Sequence, residues 1–143
     1  MKAMAISRSG MDVEWRRLQV IAENLANLDT TRTASGSPFR PMRLVSGPKG
    51  GFSALIGKSV GSSSVADGVE VLGIEAMPGG TRRVYEPHHP HADPDGFVTY
   101  PNVDRAGEMT LMIQASRSYE ANLVALNMAH QMYVRALDLG KQS

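Results

Sequence analysis

Along the first part of the chain the apolar residues return every seven positions. Met4, Met11, Leu18 and Leu25 form one row, with Ile21 and Leu28 beside it at d-type positions. This is the periodicity of a helix with a narrow apolar seam. Polar Ser7 and Glu14 occupy the companion positions nearer the start, so the seam is strong in its second half and the first two turns fray when alone. Asp29-Thr30-Thr31 ends the stripe: short polar side chains there bond the backbone in place of the helical ladder.

The pattern changes over residues 33–101, which hold all 8 prolines and most of the 14 glycines. A helix cannot run through such a stretch. Four β-prone runs are spaced along it: Met42–Val45, Gly68–Met77, Arg82–Tyr85 and Phe97–Tyr100. Between the first two, Gly57-Lys58-Ser59-Val60-Gly61-Ser62-Ser63-Ser64 has little apolar area to offset backbone ordering and is expected to be a flexible loop.

From Asn102 to about Leu139 the helical period resumes. Met112, Tyr119, Leu126 and Tyr133 stand at steps of seven, and Leu123, Ala129, Ala136 and Leu137 extend the same face. Asn102 after Pro101 is the expected N-cap, Asp104 and Glu108 put negative charge early, and Gly140 before Lys141 is the expected stop. Such a helix reaches about 55 Å, more than a small β region can cover.

The chain thus divides into an N-terminal helix (1–32), a β-rich middle (33–101) and a C-terminal helix (102–143), an α+β arrangement. Its two helices carry more apolar stripe than one antiparallel pair buries, and excess stripe implies self-association or docking to other chains. The interface is expected at Met11, Leu18, Ile21 and Leu25 against Met112, Tyr119, Leu123, Leu126 and Tyr133, from the same or a neighbouring subunit. An ordinary monomeric helical hairpin on a sheet would instead make these tyrosines plain core residues. Asn24 and Asn27 are expected to satisfy backbone or neighbouring polar groups at the helix exit.

Composition narrows the function further. With 143 residues there is room for one modest core, and the formal net charge of +1 lacks the basic excess of a nucleic-acid binder. With 0 Cys there is neither a disulfide nor a thiol nucleophile. The opening residues carry charge before any apolar run of signal-peptide length, and no run of 18 apolar residues follows, so neither a Sec-type leader nor a membrane span is expected.

Candidate chemistry is weak throughout. Gly57-Lys58-Ser59 lacks the glycine a P-loop needs, because Phe52 holds that position. His88, His89 and His91 with Asp93 and Asp95 have metal-binding side chains, but Pro87, Pro90 and Pro94 are expected to hold the segment extended and spread them, leaving a solvated loop or an intersubunit contact. Asp93-Pro94-Asp95-Gly96 reads as a turn, since a calcium loop in that frame would need an acid where His91 stands. His130 is expected to pack or hydrogen-bond on the C-terminal helix. No Gly-x-Ser-x-Gly elbow is present. Neither a cofactor nor a small-molecule substrate is expected.

One segment after the first helix, Glu23-Asn24-Leu25-Ala26-Asn27-Leu28-Asp29-Thr30-Thr31-Arg32-Thr33, resembles the N-terminal signature of the flagellar axial family, which includes rod and hook proteins. The Thr-Thr-Arg-Thr ending is similar to the proximal-rod type. Val84–Val98 and the Pro101-Asn102-Val103-Asp104 segment leading to Ser118-Tyr119-Glu120-Ala121-Asn122 match the same type in order and spacing. The resemblance implies terminal helices paired in a coiled-coil-like core domain, an outer β-rich domain, and no catalytic residue or cofactor. It further implies a structural, torque-bearing subunit in the periplasmic part of the rod. Such a subunit is exported by the flagellar type III apparatus without a cleaved signal peptide. The implied partners are copies of itself, other proximal-rod proteins, the junction with the inner-membrane ring, and the distal rod. A coiled-coil adaptor unrelated to flagella would explain the heptads but not three motifs in register.

Overall fold

The computed structural model describes residues 2–50 and 67–141. Helix α1 runs Lys2–Ala26, strands β1 and β2 Met42–Pro48 and Val69–Ala76, strands β3 and β4 Thr81–Tyr85 and Phe97–Pro101, and helix α2 Arg105–Lys141. All four β-prone runs are strands. They form two antiparallel two-stranded sheets, β1 with β2 and β3 with β4, not one continuous sheet. A bulge between Val45 and Ser46 breaks the register of the first. The Gly57–Ser64 stretch and the Gly-Lys-Ser sequence within it lie outside the described residues.

Several boundaries differ from those the sequence predicts. Helix α1 ends at Ala26, ahead of Asp29, where the Asn27 amide turns back to donate to the Glu23 carbonyl at 2.9 Å. The Thr30 N–H then donates to the Asn27 carbonyl at 3.2 Å. At the start of α2 the cap is Asp104 and not Asn102. The Asp104 carboxylate accepts the Ala106 N–H at 3.1 Å, whereas Asn102 donates from its backbone and side chain to Gly80 and Gly79. Asn102 is thus committed to the turn between the two sheets, and Asp caps as well as Asn does. Gly140 does not stop α2, which continues to Lys141, and no left-handed backbone angle is found there.

The segment between Glu86 and Gly96 is not extended. Its prolines occupy the second position of three successive tight turns, closed by hydrogen bonds from His89 to Glu86, Ala92 to His89 and Gly96 to Asp93. A fixed φ suits proline to that corner, so the residues expected to spread the histidines instead gather them.

The apolar core is small. Val13 and Val20 on α1 meet Leu44 on β1, with Met42 and Ile74 packed against them. Beside it sits Asn24, 1% exposed. Its amide nitrogen donates to the Met42 carbonyl at 2.8 Å and to Glu108 Oε2 at 3.2 Å, and its oxygen accepts the Met42 N–H at 2.9 Å. One side chain therefore ties α1 to β1 and to α2, in keeping with the backbone-satisfying role expected of it.

Asn24→Ala removes three hydrogen bonds and strands buried partners, so it should lower the unfolding free energy by about 3 kcal/mol. Asn27→Ala, at a partly open helix end, should cost under about 1 kcal/mol. Urea unfolding followed by circular dichroism compares the two.

Candidate assembly surface

The helices run antiparallel in a defined register. Asn24 meets Glu108, and a Cβ added to Gly10 would lie 2.7 Å from the Asn122 side chain, so the backbone of α1 comes close to α2 there. Both contacts are spaced by the same fourteen residues on each helix, two heptads or about 21 Å of axis. Trp15 stands between them, its ring 6.3 Å from that of Tyr119.

Around α1, the row Met4, Met11, Leu18 and Leu25 lies between Gly10 and Trp15 and so faces α2. Met11, Leu18 and Leu25 are half-buried and Ile21 is buried. On α2, Met112, Tyr119 and Leu126 are half-buried. The positions that complete their seam are Glu108, Ala115, Asn122 and Ala129, smaller or more polar than the expected Leu123, which is 39% exposed. A small or polar seam allows the close approach at Gly10.

Register also decides what is left over. Counting outward from the Gly10–Asn122 contact, α1 reaches its first residues opposite His130. All of residues 131–140 are exposed, an overhang of about 15 Å. The seam itself continues through Tyr133 and Ala136, with Leu137 at its edge; Tyr133 and Leu137 are 39% and 48% exposed, with no α1 beside them. His130 is exposed at the edge of the pair.

Two surfaces escaped the sequence reading. Val13 and Val20 form a second seven-residue row on α1 with Ile6, and this row, not the Met4 row, holds the first hairpin. On α2, Met109, Ile113, Val124, Met128 and Met132 are each more than half exposed on the side away from α1. The spacings of four within 109–113 and 124–132 signal that outer stripe, but the stronger heptad row masks it. Both faces of α2 therefore carry apolar residues.

The second hairpin contributes no comparable apolar seam. Its turns are fixed by Asp93, which accepts the Phe97 and Asp95 N–H groups at 2.8 and 3.1 Å and pairs with Arg83. Those contacts, the Phe97 N–H foremost, hold the Asp93 carboxyl below its usual value of 3.8. Tyr100 donates to Glu86 at 2.9 Å, which pushes its phenol above the usual 10.0. Among the described residues, no cluster of three or more His, Cys, Asp or Glu is arranged to hold a metal, and no helix is long and apolar enough to cross a membrane.

Comparison with known proteins bears on this surface. Residues 95–139, which span β4 and nearly all of α2, match the family described as flagellar basal body rod FlgEFG protein C-terminal. Along almost the whole chain it is similar to the flagellar basal-body rod protein FlgC of several bacteria. With that of Bacillus subtilis it is 34% identical, covering 97% of each chain. With that of Salmonella typhimurium it is 38% identical, covering 95% of this chain and 94% of the relative. The Aquifex aeolicus protein is 36% identical, over 97% and 96%.

A depressed Asp93 favours the folded turns wherever it is ionised, so its contribution is complete above about pH 4 and fades as pH falls through the lowered folded value. Amide exchange at Phe97, corrected for intrinsic rate, should show this loss on acidification. In Asp93→Asn the profile should be flat in that range.

Proposed function

The chain belongs to the flagellar basal-body rod protein FlgC family, structural subunits of the rod and not enzymes, and from that premise we propose how it assembles. The overhang of α2 and the outer Met109–Met132 stripe are the surfaces by which one subunit packs on copies of itself and on other rod components. The observation that carries this reading is the continuation of the seam through Tyr133 and Ala136, with Leu137 at its edge, past the end of α1. A stripe built to be covered and left uncovered within one chain is completed by another chain. Contacts between unlike faces of successive subunits need not close into a ring, and where the rotation leaves them open they repeat along an axis and build a rod.

The site lies in the flagellar basal body and serves motility. In finer terms the subunit sits in the proximal, periplasmic part of the rod and reaches it through the flagellar type III apparatus without a cleaved leader. It meets the inner-membrane ring junction on one side and the distal rod on the other. These placements rest on the motif resemblance at residues 23–33 and 84–104. Of the expected interface, Met11, Leu18, Ile21, Leu25, Met112, Tyr119 and Leu126 serve mainly to hold the helix pair. Leu123 and Tyr133 are available to neighbours. The comparisons lend nothing to an adaptor unrelated to flagella.

Leu137→Asp tests this division. The residue is half exposed, so the isolated subunit should keep its unfolding midpoint within about 0.5 kcal/mol while incorporation into basal bodies and swimming are lost. Leu126→Asp, inside the pair, should lose both. Normal swimming in the Leu137→Asp strain would sink the proposal.

A further inference from the structure

The turns between Glu86 and Gly96 bring His89 and His91 together, with rings 5.3 Å apart and edge to face. The His91 backbone N–H donates to His89 Nδ1 at 3.0 Å. An acceptor nitrogen carries no proton, so His89 must be neutral with its proton on Nε2. His91 Nδ1 in turn lies 2.7 Å from the Thr31 hydroxyl, sixty residues earlier, in the connection that leaves α1. We propose that this pair is a pH-sensitive clasp: neutral, it holds the 86–96 turns against Thr31; protonated, it lets them go.

The chemistry is local. A proton on His89 Nδ1 would point at the His91 N–H, turning a hydrogen bond into a meeting of two donors. A second proton on His91 would set two cations side by side. The Thr31 contact by itself would survive, because a hydroxyl can accept as readily as it donates. The sensitive bond is therefore the one inside the turn, and Thr31 is released because the turn behind His91 loses its shape.

The charged groups nearest along the packed elements sit at Tyr100 and within the turn segment. Glu86 lies at the start of the turns and accepts from Tyr100, Asp29 in the α1 connection acts on Tyr100 through its charge, and Arg82 lies over the Tyr100 ring, which meets His89 at 6.2 Å between centroids. His88, Asp95 and the Arg83–Asp93 pair occupy the remainder of the segment. Two carboxylates and one guanidinium thus act on the Tyr100 phenol whose ring meets His89, and a histidine's charge changes between about pH 5 and 8. The hairpin stays anchored after release, since fully buried Val98 and the Asn102 bonds to Gly79 and Gly80 involve no titrating group. Only the tip changes, so the exposed surface of residues 86–96 has one shape at neutral pH and another in acid.

The test is nuclear magnetic resonance on the full chain between pH 8 and 5. At pH 8 the imidazole nitrogen shifts of His89 should show an unprotonated Nδ1, and the His91 amide should be protected. By pH 5 that protection, corrected for intrinsic exchange, should fall at least tenfold. His89→Asn, whose side-chain oxygen can stand near the position of Nδ1 and does not titrate, should keep its protection across the range. A proton on His89 Nδ1 at pH 8, equal corrected protection at both ends, or the same acid loss in the Asn variant overturns the clasp.

Discussion

A single buried amide joins the parts of this molecule. Asn24 accepts from the Met42 N–H of β1 and donates both to the carbonyl of the same residue and to the carboxylate of Glu108, so α1, the first hairpin and α2 converge on one side chain. Three elements of low intrinsic stability meet there: a helix with a half-polar seam, a two-stranded sheet, and the first turns of a long helix. A lone hairpin is marginal in water, and the apolar cluster beside it is only a few residues wide. A polar bond is directional where apolar contact is not, and the junction uses that direction to choose one arrangement among many of similar burial.

The same junction gives the motif after α1 a physical content. Asn24 fastens, Asn27 turns the chain, the Thr30 hydroxyl donates to Asn27 Oδ1, and Thr31 meets the second hairpin. Each residue acts on a different neighbour. A short, polar and outwardly unremarkable run can thus identify a family, because several independent contacts constrain it at once.

Much of the architecture was legible in the sequence, for identifiable reasons. Heptad rows and β-prone runs are local and long enough to survive averaging, which is why both helices and all four strands could be read. Division into two sheets was not legible, since strand pairing depends on which turn follows Ala76, and the Met77–Gly80 turn shows itself only when Asn102 closes on it. The shape of the histidine segment is not legible, because proline suits an extended run and a turn corner alike and only the closing hydrogen bonds decide between them. Within the helix pair the direction of the seam was legible and its membership less so. Leu123 is the larger apolar residue, yet Asn122 takes the inner position because Gly10 leaves space for it. Space on one helix is not a property of the other helix's sequence.

The fixed spacing of the two helix–helix contacts has a mechanical consequence. Because Asn24–Glu108 and Gly10–Asn122 lie two heptads apart on both helices, sliding one helix along the other breaks both contacts together. A pair joined by smooth apolar rows alone could creep by a turn and re-form. Here a pull along the axis meets two stops that must give way at once, so the helix pair resists sliding as one unit.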